Sequence, residues 1–214
     1  MRRKLLSIVT VLLLAIVIVA CGGNDSGSID PNSPTGVTTE FLNAIKAEDN
    51  ERIEKVYAGD NMDMEETMDF SGSDTDDLEK EIYEGLMAKI LDFDFEVSNE
   101  KIDGDKATVD VKITQYNLAD VFTKFMQDFM GKAMEMAIAD ASEDEIVKES
   151  VNVFNETLKN AKKDYEKTVK FNLIKDGDSW KVEKMPDDGD FMNALTGGLL
   201  EWINEIGGLG EAMN

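Results

Sequence analysis

EKIDGDKATVDVKIT, residues 100–114, sets Ala107, Val109, Val111 and Ile113 in alternation with Thr108, Asp110, Lys112 and Thr114. Successive side chains of a strand point to opposite faces, so this run is a strand with one apolar and one solvated face. Upstream, Phe93, Phe95 and Val97 alternate with Asp92, Asp94 and Glu96, and Asp103-Gly104 separates the two runs as the turn of a β-hairpin. With that turn, Ile102 opposes Asp105 and Val97 opposes Asp110. Opposed residues share a face, so one residue must be extra, and a bulge that bends the sheet is expected near Ser98-Asn99.

A second hairpin, TVKFNLIKDGDSWKV (168–182), turns at Lys175-Asp176-Gly177-Asp178. Its expected pairs are Leu173 with Trp180 and Phe171 with Val182, large apolar groups on one face. Between the hairpins the period changes to that of a helix. Leu118 to about Ala141 reads as one long helix with Leu118, Val121, Phe122, Phe125, Phe129, Ala133 and Ala137 in a stripe. Ser142-Glu143-Asp144-Glu145 is a capping box that opens a second helix with Ile146, Val147, Val151, Phe154, Leu158 and Ala161 inward. The two form an antiparallel helical hairpin. At about 1.5 Å per residue the first helix is roughly 36 Å long, more than the strands can cover, so its tip is expected to project.

Outside this centre, Ser33-Pro34 starts a helix with Val37, Phe41, Ala44 and Ile45 on one face. Asp49 caps a short helix over Asn50–Tyr57, with Ile53, Val56 and Tyr57 inward. Residues 59–75 read as an acidic loop, and a third helix at about 77–90 buries Leu78, Ile82, Leu86 and Ile90. After Pro186 and an acidic turn, a single amphipathic helix is expected over about 190–206, with Phe191, Leu195, Leu199, Trp202 and Ile206 in its stripe. Gly197-Gly198 would let that helix approach a neighbour closely, and 207–214 would form a frayed tail. The fold class is α+β, one domain over residues 33–206 with the helical hairpin inserted at about 118–164.

The amino terminus carries an address. Arg2-Arg3-Lys4 precedes an apolar run, Leu5 to Ala20, that ends in Ile18-Val19-Ala20-Cys21-Gly22-Gly23. Sixteen residues are short for a membrane span of about 20, and the run fits a cleaved secretory signal. The four residues ending in Cys21 resemble a lipobox, the mark of bacterial lipoproteins. That resemblance implies cleavage after residue 20, a diacylglycerol thioether on Cys21 and, usually, acylation of the new amino terminus. A second acyl chain turns marginal anchoring into stable anchoring. Residues 21–32, rich in Gly, Ser, Asn and Asp, read as a flexible tether reaching roughly 15–20 Å.

Composition excludes several functions. The chain of 214 residues has a net charge of −23, and without Arg2, Arg3 and Lys4 its 19 basic residues face 45 acidic ones, a net of −26. Nucleic acid and anionic lipid are poor partners for such a surface. Histidine is absent and Cys21 is the single cysteine, which removes Ser-His-Asp and Cys-His catalysis and His-ligated zinc or copper. No cofactor is expected.

The helix pair SPTGVTTEFLNAIKAEDNERIEKVY with the two hairpins resembles small lipoproteins of Gram-positive bacteria that carry a nuclear transport factor 2-like (cystatin-like) α+β fold. Many of these are domains of unknown function. The resemblance covers about residues 33–185 and implies a curved antiparallel sheet wrapping helices into a cone. The helical hairpin departs from the minimal fold, and the family offers no assigned catalytic residues to carry over.

Enzymes on such a fold set an acid or base inside the cone. The inward face here carries Phe93, Phe95, Val97, Val109, Val111, Ile113, Phe171, Leu173, Trp180 and Val182, with no carboxylate or hydroxyl among them. An apolar pocket lined by Phe93, Phe95, Val109, Val111, Phe171, Leu173, Trp180 and Val182 is the alternative use of that face. Tyr57, Tyr83 and Tyr116 could border it, though tyrosines usually pack and bond locally.

Met126, Met130 and Met134 recur every four residues, and Met62, Met64 and Met68 cluster in the acidic loop. Thioethers suit Cu(I), but with no His or Cys in support, gap filling or an adaptable binding surface is the better reading. The acidic groups Asp60, Asp63, Glu65 and Glu66, then Asp74, Asp76 and Asp77, then Asp187, Asp188 and Asp190 lack the spacing of a calcium-binding EF-hand. The expected function is a non-catalytic, lipid-anchored extracytoplasmic domain that binds a hydrophobic ligand or a protein partner. The alternatives are an enzyme of the same fold using Asp, Glu or Tyr, and a structural or oligomerising envelope lipoprotein. An exposed stripe on 118–164 would mark the last.

Overall fold

Both hairpins turn one residue later than expected. Asp103-Gly104-Asp105 and Asp176-Gly177-Asp178 each offer two readings, with Gly either second or first in the two-residue turn. In the computed structural model, which describes residues 29–59, 77–186 and 189–212, Gly comes first. Asp103 pairs with Lys106 and Asp176 with Ser179. Gly104 and Gly177 take φ of 61° and 64°, the first-position geometry of a type II′ turn, whose twist matches that of the strands. Each register moves by two residues, so the faces survive while the partners change. Leu173 opposes Val182, Trp180 opposes Lys175, and Phe171 pairs with Val109 on the other side.

The elements in order are α1 (Pro34–Lys46), α2 (Asn50–Val56), α3 (Asp77–Leu91), β1 (Asp94–Asp103), β2 (Lys106–Gln115), α4 (Leu118–Ile138), α5 (Glu143–Lys159), β3 (Tyr165–Asp176), β4 (Ser179–Val182), α6 (Asp190–Leu195) and α7 (Leu199–Ala212). The strands form one antiparallel sheet in the order β1-β2-β3-β4. Its bulge lies between Ser98 and Lys101, where Asn99 has φ 55°. Asn tolerates that region better than most side chains, and its amide here donates to Asp110 Oδ2 at 2.9 Å. The extra residue returns Val97 to Val111 and Phe95 to Ile113, apolar against apolar.

The helices lie where their caps and stripes direct them. Ser33 Oγ accepts from the Gly36 amide at 3.0 Å with Pro34 at the first helical position, and Asp49 Oδ1 accepts from the Arg52 amide at 3.1 Å. Arg52 then forks onto Glu40 at 2.7 and 3.0 Å, fastening α2 to α1. Val37, Phe41, Ala44 and Ile45 are buried against the sheet. Of the third helix's expected stripe, Leu86 and Ile90 are buried and Ile82 is partly so.

The last helix is broken, contrary to expectation. Thr196-Gly197-Gly198 separates α6 from α7, and the two glycines take φ of 55° and 82°. The reason is contact: a Cβ on Gly197 would lie 1.8 Å from the Tyr116 carbonyl oxygen, so only glycine lets the chain pass the end of β2. Beyond it, α7 runs to Ala212, through most of the stretch expected to fray.

Candidate functional site

The eight side chains expected to line a pocket are built into the core. Seven are buried and Phe95 is half-buried, packed on them. The space before them is filled from α1 and α6. Phe171 has Phe41 at 6.2 Å and Phe191 at 5.0 Å, both edge to face, and Phe41 stacks on Tyr57 at 5.2 Å. Among the described residues the fully or nearly buried polar groups are Thr38, Gln115, Asn193 and Thr196, none of them ionisable.

Gln115, a polar residue among the apolar inward positions of β2, closes the end of this core. It is the last residue of β2 and fully buried. Its Nε2 donates to the carbonyls of Ile90 at 2.8 Å and Leu195 at 2.7 Å, and its Oε1 accepts from the Tyr116 amide at 2.7 Å. One amide thus satisfies backbone groups at the ends of α3 and α6 and beyond β2. Its only trace in the sequence is a polar residue at the inward position that ends an alternating strand.

Four carboxylates are held below their usual range by hydrogen bonds. Hydrogen bonds from Lys170 hold Asp110 below the usual range, the Ser142 amide does so for Glu145, and Lys132 for Glu149. At Asp92, partial burial works upward but is outweighed by bonds from Tyr116 and Lys163. Burial raises Tyr165, whose hydroxyl lies 3.4 Å from the Asn193 amide. Asn193 also bonds Glu201 through its Oδ1 and Nδ2, bracing α6 against α7. No group of three or more acidic side chains among the described residues is placed to hold a metal ion, and the clusters at 60–76 and 187–188 lie outside those residues. Cys21, the lipobox and Met62, Met64 and Met68 also lie outside them.

The helical hairpin joins β2 to β3 and stands clear of the sheet, packing on α3 and α7. Its capping box forms as expected, with Ser142 Oγ and the Glu145 amide 3.4 Å apart and Glu145 Oε2 accepting from the Ser142 amide at 2.9 Å. Near its base, Phe122 and Phe125 meet Phe154 at 5.4 and 5.5 Å, and Phe122 meets Trp202 at 5.7 Å. Farther out the burial ends. Only Leu118 and Val121 of the expected α4 stripe are buried, while Ala137 and, on α5, Val147 are exposed; Val153, unforeseen, is buried.

α4 therefore has three faces. The aromatic face packs on α5. A second face carries Asp120, Lys124, Asp128 and Lys132 into a groove of about 430 Å³ shared with Glu149, Asn152 and Glu156 of α5, over a floor of Val121 and Val153. Lys124 pairs with Asp120, and Lys132 with Glu149 at 2.8 Å. The third face is solvent-exposed and apolar, with Met126 46%, Met130 61%, Met134 68% and Ile138 86% exposed. At about 100° per residue, no charged side chain of α4 falls within about 60° of the Met130 direction on either side.

This face lies far from the chain's entry point. The Thr35 amide and hydroxyl bind Glu100 at 2.8 and 2.6 Å, fixing the start of α1 beside the β1–β2 turn. β2 then runs ten residues, about 33 Å, to the end from which α4 leaves. No helix among the described residues is long and apolar enough to cross a membrane.

No protein-family model matches this chain, and no curated protein matches it. Among solved structures, a candidate lipoprotein (ycdA) from Bacillus subtilis subsp. subtilis str. 168 is similar, with a TM-score of 0.48 and 17% sequence identity. The match covers 79% of this chain and 55% of that one, so this chain spans about half the length of that structure.

Proposed function

We propose that this chain is a bacterial lipoprotein, held by acyl groups on Cys21 at the extracytoplasmic face of the membrane, that works by binding and not by catalysis. The lipobox and its flanks support the anchor. A bent antiparallel sheet with α1 on its apolar face supports the nuclear transport factor 2-like reading of the body. The observation that carries the binding role is the exposed, uncharged face of α4. The largest apolar patch of a monomer, on the order of 300–600 Å², is often a functional surface. The sheet interior, filled by Phe41 and Phe191, offers a small ligand little room, so the hairpin is the element that meets a protein partner.

The acid–base alternative would need a carboxylate kept neutral beside a cavity. Asp92, Asp110, Glu145 and Glu149 are shifted the other way. Native mass spectrometry of the mature lipoprotein, compared with its denatured mass, tests this reading. The expected result is the lipidated chain with no second small adduct. An adduct lost on denaturation would replace the hairpin with an interior pocket.

A further inference from the structure

We infer that the uncharged face of α4 seats on the same face of a second copy of this chain, the two hairpins side by side and parallel above one membrane. This rests on the lipid-anchored reading. Charge restricts where two copies can touch. At a net charge of −26 without Arg2, Arg3 and Lys4, they repel over most approaches. The arc around Met130 is a surface where like-charged copies meet without opposing carboxylates. A basic partner would instead be met by acidic groups around the patch, yet the five charges of α4 point about 80° or more away from the Met130 direction.

Area and orientation define the pairing further. Met126, Met130, Met134 and Ile138 expose on the order of 500 Å² per copy, so a pair buries at most about 1,000 Å², the size of a weak specific interface. Residues four apart form the ridges that pack helices in the 4–4 class at about −50°, which suits a short contact of three turns. An antiparallel pair would send the two tethers to opposite ends, whereas a parallel pair roots both in one bilayer. An interface of this size is weak in dilute solution, and confinement to a membrane raises the effective concentration that holds it.

The test uses the full chain in the membranes of cells that express it. Cys21 is the single cysteine and is acylated in the mature protein, so an introduced thiol is the one free thiol. Met126→Cys, Met130→Cys and Met134→Cys are each expected to give a disulfide-linked homodimer on diamide treatment. Lys148→Cys, exposed on α5, is not. Adding Met134→Glu to the Met130→Cys chain should lower the dimer fraction at least tenfold.

Cross-linking at Met130→Cys alone would mean antiparallel pairing and overturn the arrangement. Yields no higher than Lys148→Cys, or links to a different protein, would overturn the second copy. Detergent-phase partition of the same samples reads the anchor separately. Protein in the detergent phase without cross-links refutes the pairing, and protein in the aqueous phase refutes the anchor.

Discussion

The β2 strand has 4 apolar residues in 10 and the α4 helix 13 in 21, and the two elements treat them in opposite ways. In β2, Ala107, Val109, Val111 and Ile113 are all buried, three of them between partners on β1 and β3 and Val109, opposite the bulge, against Phe171 of β3. In α4, burial stops after the first turns, and three methionines and an isoleucine face solvent. The difference teaches where stability resides. The sheet with α1, α6 and the end of α3 forms the cooperative body. The outer half of the hairpin is an appendage held by a few aromatic contacts and good caps, and its free apolar face is available for another use.

The comparison breaks most visibly at Phe171. Phe171→Ala should cost about 3–5 kcal/mol, since Phe41, Phe191 and the sheet cannot close the gap, and it should lower the urea midpoint of the whole chain. Gln115→Ala should cost about 2–3 kcal/mol by leaving the Ile90 and Leu195 carbonyls and the Tyr116 amide without their partner in a buried site. Hydrogen exchange should then rise together at the ends of α3, β2 and α6.

Changes in the hairpin should be smaller and local. Ser142→Ala removes a cap worth about 1 kcal/mol and should raise amide exchange in the first turn of α5 while leaving the sheet unchanged. Glu145 in that box has a lowered folded pKa, so its contribution is present above the ordinary carboxylate range and fades as pH falls through the folded value. Loosening of that turn on acidification, absent in Glu145→Gln, would check the sign. The smallest effect belongs to Met130→Glu, expected to leave monomer stability within about 0.5 kcal/mol by urea unfolding. A loss as large as that of Phe171→Ala would place the stripe in the core and end the distinction between the two regions.

The same contrast separates what the residues disclosed from what they hid. Period-two and helical patterns, the bulge and the caps at Ser33, Asp49 and Ser142 are local signals and could be read directly. The turn register could not, because Asp-Gly-Asp satisfies two turn types and only the pairing of long strands decides between them. The break at Gly197 depends on the Tyr116 carbonyl, 81 positions away in the chain. Gln115 depends on two helix ends that meet only in the fold. The methionine face is visible as a four-residue period, but the period alone does not choose between gap filling in the core and an exposed binding surface.

The position of β2 and β3 has a mechanical consequence. The chain enters beside the β1–β2 turn, and the hairpin leaves from the far end of those strands. The two ends of the hairpin leave from one paired end of the ladder, since α4 follows Gln115, α5 precedes Tyr165, and those two residues oppose each other. A load on the hairpin therefore enters β2 and β3 together, and the ten paired positions from Lys106↔Ile174 to Gln115↔Tyr165 splint the two roots against twisting apart. The hairpin is mounted on two legs, so it cannot swivel as an element hung from a single strand end would.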